Sequence, residues 1–164
     1  MKHVAPILLA LLLVAAPASA KPPELAEVWN GAEIAWRDMG SGVKEAVRTG
    51  KPVLMLFHAT WCQICRHFRA VFKDPGIVAA SRDLVMILVD VDREPDVNGG
   101  FAPDGGYVPR TVFLDSEGNI NEALQSANPK YRYSADVDGP AELLSLMKRA
   151  AKGAVPPPGE RAEQ

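Results

Sequence analysis

Residues 53–65 have the sequence VLMLFHATWCQIC, and this stretch decides the fold. Its first five residues are a continuous apolar run between Pro52 and His58, which predicts a strand buried on both faces, as in a parallel sheet. Residues 62–73 then show helical spacing. The apolar side of this helix is predicted to comprise Ile64, Phe68, Val71 and Phe72.

The flanking residues predict a strand–helix–strand unit. Residues 84–91 (LVMILVDV) are a second buried strand, and a right-handed crossover would make it the parallel neighbour of the first. A short helix is predicted over residues 75–81. Upstream, residues 34–36 are a candidate strand, and a helix is expected to start at the N-cap Ser41 and to stop at Gly50.

The second half of the chain predicts a hairpin and a closing helix. Residues 111–114 are a third strand, and a turn at residues 115–118 leads into a fourth strand at residues 119–122. Residues 93–108 are predicted as a long Gly/Pro/Asp-rich loop. The last helix, residues 138–152, would pack through Leu143, Leu144 and Met147.

The composition is that of one ordinary globular domain. The chain has 164 residues, of which 48% are hydrophobic and 23% are charged. Its 18 Lys and Arg against 20 Asp and Glu leave no basic excess to bind phosphates, so we expect no nucleic-acid partner.

Residues 1–20 have the pattern of a signal peptide. A basic start is followed by the apolar run 7–16 and by Ala18-Ser19-Ala20, the small residues of a cleavage site. The run is too short to span a bilayer comfortably, which disfavours an uncleaved anchor. We therefore expect an exported protein, periplasmic or otherwise secreted. Its expected parts are the lead-in 21–33, the domain 34–152 and the Pro-rich polar tail 153–164.

Cys62 and Cys65 are predicted to be a redox-active pair. Three residues apart on a helix, they are offset by about 60° and roughly 4.5 Å, within reach of a disulfide. Cys62 is placed at the helix N-terminus, where free N–H groups and the dipole favour a thiolate. We expect Cys62 to be the exposed nucleophile and Cys65 the shielded resolving thiol.

Other roles for the pair are weaker. A structural staple would restrain so short a loop by only about 2 kcal/mol. Haem attachment needs a His directly after the second Cys, where Arg66 stands. Cys62, Cys65 and His58 are too few ligands for a closed zinc or copper site, so we expect no metal. Inert thiols are not expected in an oxidising compartment.

Pro109 precedes the third strand and in this topology faces the Cys pair; an ordinary trans proline is the alternative.

The predicted order of strands and helices, with the Cys pair at a helix start and Pro109 before a strand, resembles the thioredoxin fold, a single α/β domain with a central mixed sheet flanked by helices. Residues 50–133 are similar to the anterior-gradient group of small thioredoxins of the endoplasmic reticulum, here as an exported, bacterial relative. The matching segments are His58 with Trp61-Cys62-x-x-Cys65, Phe101-x-Pro103-Asp104-Gly105-Gly106-Tyr107-Val108-Pro109-Arg110, Phe113-Leu114-Asp115 and Asn128-Pro129-x-Tyr131-x-Tyr133.

The resemblance implies a thiol–disulfide oxidoreductase with Pro109 cis and the Val108 backbone offered to an extended substrate. Trp61 is expected beside the disulfide at the docking surface, although a simple core Trp is the alternative. Arg110 is expected near the substrate, where its charge would lower the pKa of Cys62.

One departure from typical thioredoxins concerns proton transfer. Their buried Asp, six residues before the first Cys, is replaced here by Leu56. His58 is the nearest titratable candidate for this role, and water is the alternative.

We expect no organic cofactor, because the Cys pair itself carries the electrons. The substrates would be protein or peptide disulfides or dithiols. An unidentified redox partner, such as a membrane thiol–disulfide carrier, would recycle the enzyme. The alternative from another class is a non-catalytic binding module or chaperone, motivated by the long loop and the missing Asp. A Cu(I) metallochaperone is a weaker alternative.

Overall fold

Four strands form one mixed sheet in the computed structural model, which describes residues 22–153. The order across the sheet is β1-β3-β2-β4. β1 and β2 both pair parallel with β3, and β4 pairs antiparallel with β2. The strands are β1 (Trp36–Arg37), β2 (Val53–His58), β3 (Val85–Asp90) and β4 (Arg110–Leu114).

Helices cover both faces of this sheet. They are α1 (Met39–Thr49), α2 (Gln63–Phe68), α3 (Pro75–Ser81), α4 (Pro95–Gly100) and α5 (Ala141–Lys152). Apolar residues of α2, α3 and α5 pack on the face that carries Leu54 and Leu56, and Ala46 of α1 packs on the opposite face. No helix within residues 22–153 is long and apolar enough to cross a membrane. The predicted signal peptide and the tail beyond Gly153 lie outside the described residues.

The two central strands confirm the strongest sequence prediction. Every residue of β2 and β3 is buried, because helices cover both sides of the sheet. The strands are parallel neighbours, and their register ends with His58 opposite Asp90. The carboxyl end of β2 thus leads directly into the Cys62–Cys65 segment.

Several boundaries differ from the predictions. The N-cap of α1 is Asp38 rather than Ser41, because the Asp38 side chain accepts hydrogen bonds from both the N–H and the hydroxyl of Ser41. Gly50 ends α1 with a positive φ of 69°, as predicted. β1 lies at Trp36–Arg37 rather than 34–36.

The predicted fourth strand at residues 119–122 is wrong. Only an isolated bridge joins Leu114 and Ile120. Asn121 then turns the chain away, since its carbonyl accepts the Leu124 N–H and its side chain accepts the Ala123 N–H. The outer edge of β4 is covered by a non-strand segment instead, in which the Tyr133 carbonyl accepts the Thr111 N–H at 2.6 Å.

Three other predicted segments also differ. The helix predicted over 62–73 is split into α2 and a short 3-10 turn, Val71–Lys73. The predicted loop 93–108 contains α4, which starts at Pro95. The predicted lead-in carries a 3-10 turn whose Trp29 is fully buried and packs edge-on against Phe72.

Candidate active site

The two cysteines are joined in a disulfide at the start of α2. Their Cα atoms are 5.2 Å apart. Cys62 is the N-cap of α2, and its Sγ accepts a hydrogen bond from the Cys65 N–H at 3.1 Å. Cys65 has no accessible surface, whereas Cys62 retains 4%. The expectation of an exposed Cys62 is thus corrected to a nearly covered sulfur, although Cys62 remains the more accessible of the two.

The loop before β4 covers the sulfur of Cys62. The Val108 carbonyl oxygen lies 3.8 Å from Cys62 Sγ. The Val108–Pro109 peptide bond is cis, and Pro109 is buried. Residues 46 positions apart in the sequence therefore meet at the disulfide, because β4 returns antiparallel to β2.

Large apolar side chains are exposed around this disulfide. Trp61 is 64% exposed and Ile64 is 45% exposed, and Tyr131 from the segment beside β4 is 38% exposed. Trp61 is not a core residue; its indole N–H donates to Asp92 Oδ2 at 2.9 Å. The prediction that Ile64 packs with Phe68 is wrong, since α2 turns Ile64 outward.

A groove of about 710 Å³ runs alongside the Cys pair. One side is formed by Ile64 and by the cis-proline loop, and the other by residues 127–137 together with the start of α5. The residues that line it are Ile64, Tyr107, Val108, Pro109, Ala127, Asn128, Tyr131, Ser134, Ala135, Asp136, Val137 and Glu142. Sequence reasoning missed this second side, although the motif Asn128-Pro129-x-Tyr131 was a signal for it.

Hydrogen bonds of Tyr107 join the two sides of the groove. Its hydroxyl donates to the Asp104 carboxylate at 2.8 Å and accepts the Tyr133 N–H at 3.0 Å. Asp104 also accepts the Arg132 N–H. Burial raises the pKa of Tyr107 above its ordinary value, and the Asp104 carboxylate raises it further, so this hydroxyl stays protonated.

His58 is buried on the face of the sheet that carries the Cys pair. It alternates with Leu54 and Leu56 along β2, and both of these pack in the same cluster as Cys62. Neither ring nitrogen has a hydrogen-bond partner among the described residues. Burial lowers the pKa of His58 to about 4, since the attraction of Asp90 offsets only part of it and Arg69 lowers it further. His58 is therefore neutral at pH 7.

Arg110 does not reach the substrate side of the sheet. It pairs with Phe57 across β2 and β4, and its guanidinium lies 4.1 Å from the centre of the Phe57 ring, on the face opposite the disulfide. It has no accessible surface, and it donates to the Tyr107 carbonyl and to Asn98 Oδ1, each at 2.7 Å. The prediction of a substrate contact at Arg110 is therefore wrong, because an enclosed side chain cannot touch an incoming polypeptide.

Within residues 22–153 no group of three or more His, Cys, Asp or Glu side chains is placed to hold a metal ion. The acidic residues at the end of β3 and just after it have other partners. Asp92 holds Trp61, and Asp90 accepts the Asp92 N–H at 3.0 Å.

Comparisons with known proteins agree with this geometry. A family model described as Thioredoxin-like matches residues 35–116, half of the chain. Anterior gradient protein 3 of Xenopus tropicalis is 25% identical over 130 residues, which cover 79% of this chain and 78% of that protein. The Thiol:disulfide interchange protein DsbD of Ralstonia nicotianae is 31% identical over 90 residues, which cover 50% of this chain but 14% of that protein. A solved thioredoxin from Thermus thermophilus has a TM-score of 0.54 at 22% identity, covering 71% of this chain and 86% of that one. The predicted fold and its resemblance to anterior gradient proteins are confirmed.

Proposed function

Because this chain belongs to the thioredoxin-like family, we propose that it catalyses thiol–disulfide exchange on protein or peptide disulfides through Cys62 and Cys65. One observation carries the proposal. The Cys62–Cys65 disulfide lies at the start of α2, where the Val108 carbonyl contacts Cys62 and a groove runs alongside. Cys62, whose sulfur lies against the Val108 carbonyl, is the more accessible of the two cysteines, as attack on a polypeptide disulfide requires.

The exchange proceeds in two balanced steps. The Cys62 thiolate attacks one sulfur of the substrate disulfide, the substrate S–S bond breaks, and the departing sulfur leaves as a thiolate that takes up a proton. The Cys65 thiol then loses its proton and attacks Cys62 Sγ. This second step releases the reduced substrate and restores the Cys62–Cys65 disulfide. Run in reverse, the same steps oxidise a dithiol.

The structure supplies a reason for Cys62 to act first. The Cys65 N–H already points at Cys62 Sγ at 3.1 Å, and such a donor favours the thiolate over the thiol. Cys65 has no accessible surface, so it meets only a sulfur delivered by Cys62.

His58 is proposed to accept the proton that Cys65 releases. It is neutral at pH 7 and lies on the same face of the sheet as the Cys pair. Burial makes its protonated form unfavourable, so the proton is held only transiently. Replacing His58 with Leu should slow the resolution of the mixed disulfide more than its formation. Stopped-flow measurement of the two steps separates these effects.

Substrate binding is proposed for the Val108 backbone and for Trp61. Val108 is the residue before the cis-proline and lies two residues before β4 begins. An extended chain can pair with its backbone there. Trp61 presents its ring to solvent and is held in place by Asp92. Replacing Asp92 with Asn would weaken that hold without removing the ring.

The protein is proposed to work outside the cytoplasm and to be recycled by a membrane thiol–disulfide carrier. The supports are the signal-like pattern of residues 1–20 and the similarity to a protein named for thiol:disulfide interchange. Cell fractionation and mass spectrometry of the mature N-terminus test the location. A start at Lys21 is the expected result, and an intact Met1 in the cytoplasm contradicts it.

A trapping experiment tests the catalytic proposal. The Cys65→Ser variant should accumulate mixed disulfides through Cys62, and the Cys62→Ser variant should accumulate none. A protein that only binds or chaperones its partners would give no trapped species with either variant. That result would replace catalysis by the binding function.

The reduction potential of the pair then assigns the direction of electron flow. A value of about −270 mV would make the protein a reductant, and a value from about −180 to −120 mV would make it an oxidant or isomerase. Equilibration against glutathione and dithiothreitol buffers measures this potential.

A further inference from the structure

We propose that residues 127–137 are the selective wall of the substrate groove. This wall makes the enzyme prefer an extended polypeptide with a bulky apolar side chain within three residues of the reacting cysteine. The proposal deepens the thiol–disulfide exchange proposed above and rests on it. Three independent features of the described residues support it.

The first feature is where apolar surface is left uncovered. Four large hydrophobic side chains are exposed in the part of the chain that the structure describes. Trp61, Ile64 and Tyr131 flank the Cys pair or its groove, and only Val47 lies elsewhere, on α1. Apolar surface gathered in this way is expected at a site where another apolar group is buried.

The second feature is the composition of the groove. Tyr107, Tyr131, Val137 and Pro109 give it an apolar and aromatic lining, and its volume of about 710 Å³ exceeds that of one side chain. Among the residues that line it, only Asp136 and Glu142 carry charge, and both are acidic. The acidic lining is therefore expected to favour a neutral or basic polypeptide over an anionic disulfide such as glutathione disulfide.

The third feature is that the wall is held in place before substrate binds. Glu142, in the first turn of α5, accepts the Ala127 N–H on one carboxylate oxygen and the Asp136 N–H on the other, each at 2.6 Å. One side chain thus ties both ends of the wall to the helix. Within the wall, the Asn128 side chain accepts the Tyr131 N–H at 3.0 Å. A site fixed in this way loses little entropy when it binds, and Glu142 is its positioning residue.

A positional scan of peptides tests the preference. Symmetric disulfides of a Gly/Ser peptide with one central Cys would carry a single Phe at each position from three before to three after that Cys. The rate constant for reduction by the pre-reduced protein is measured by chromatography. We expect one or two positions to raise the rate at least about tenfold over the plain peptide, and glutathione disulfide to react more slowly than the plain peptide.

Variants of residues that form or position the wall test whether the wall causes the Phe preference. Tyr131→Ser removes an exposed ring, and Glu142→Gln replaces one acceptor oxygen by an amide that cannot accept. Both should erase the Phe preference while leaving the reduction potential of the Cys pair unchanged, because neither residue contacts the disulfide. Val47→Ser and Glu122→Gln are matched controls at exposed positions and should keep the preference.

Three results would each contradict either the selective wall or the proposed function. Equal rates at every Phe position, with exchange still occurring, would refute the selective wall but not the proposed function. Preference retained in Tyr131→Ser would place the selection elsewhere; because Tyr131 is a surface residue, this variant stays informative even if Glu142→Gln misfolds. Absence of exchange with all peptides and with insulin disulfides would instead refute the proposed function itself.

Discussion

Mild acid should destabilise this protein through His58. In the folded protein burial lowers the pKa of His58 to about 4, whereas in the unfolded chain it returns to its ordinary value near 6.5. Between these pH values His58 is protonated in the unfolded chain but not in the folded protein, so the free energy of unfolding decreases as the pH falls. The loss begins near pH 6.5 and is complete below about pH 4. Linkage gives a cost of about 2 kcal/mol between pH 7 and pH 5, and about 3 kcal/mol by pH 4.

The His58→Leu variant isolates this contribution. Neither ring nitrogen of His58 has a hydrogen-bond partner among the described residues, so an apolar side chain of similar size suits the site. Hydrogen bonds from Ser41 lower the pKa of Asp38, and at Asp115 burial raises the pKa but hydrogen bonds together lower it below its ordinary value. Both shifts also cost stability in acid, but both proteins share these groups. Their effect therefore cancels when the two proteins are compared at each pH.

The assay is urea unfolding of the oxidised protein, followed by far-UV circular dichroism at pH 7, 6, 5 and 4. Relative to His58→Leu, the wild-type protein should lose about 2 kcal/mol more free energy of unfolding by pH 5. Parallel pH profiles for the two proteins would refute the reasoning. An NMR titration of the His58 ring gives a second check, since a midpoint near pH 6.5 in the folded state would also contradict it.

Three further changes have expected outcomes. Gly42→Ala should cost about 2 kcal/mol in urea unfolding, because a Cβ there would lie 2.5 Å from the buried Ile87 side chain; unchanged stability would show that α1 can shift. Tyr107→Phe should cost about 1–3 kcal/mol, since it removes one donor to the Asp104 carboxylate and the acceptor of the Tyr133 N–H, and a thermal melt equal to that of the wild type would contradict this. Arg110→Lys should cost about 2 kcal/mol by loss of the two-pronged donor, yet leave the Cys pair's reduction potential unchanged; a shifted potential would mean that Arg110 acts on the disulfide after all.

Local features could be predicted from the sequence because their causes are local. Burial of β2 follows from a continuous apolar run, and the stop of α1 follows from Gly50. The closeness of Cys62 and Cys65 follows from helical spacing alone. These features depend on residues only a few positions apart, so the chain specifies them wherever it folds.

Features that depend on distant contacts could not be predicted. The predicted fourth strand does not form because Asn121 turns the chain, and the Tyr133 carbonyl instead accepts the Thr111 N–H at the edge of β4. Ile64 is exposed because α2 packs through Cys65 and Phe68 instead, and which side of a helix faces the core is set by its tertiary contacts.

The functional site shows the same division. The sequence by itself determined that Cys62 and Cys65 can form a disulfide, because two residues three apart at the start of a helix are brought together by local geometry. Only the tertiary structure decided that Arg110 faces away from the disulfide and that His58 is buried and neutral at pH 7. It also decided that residues 127–137 stand across a groove from Ile64 and the cis-proline loop. The physical reason is that exposure, pKa and facing surfaces are set by what packs around a residue, and that packing comes from elements far away in the chain.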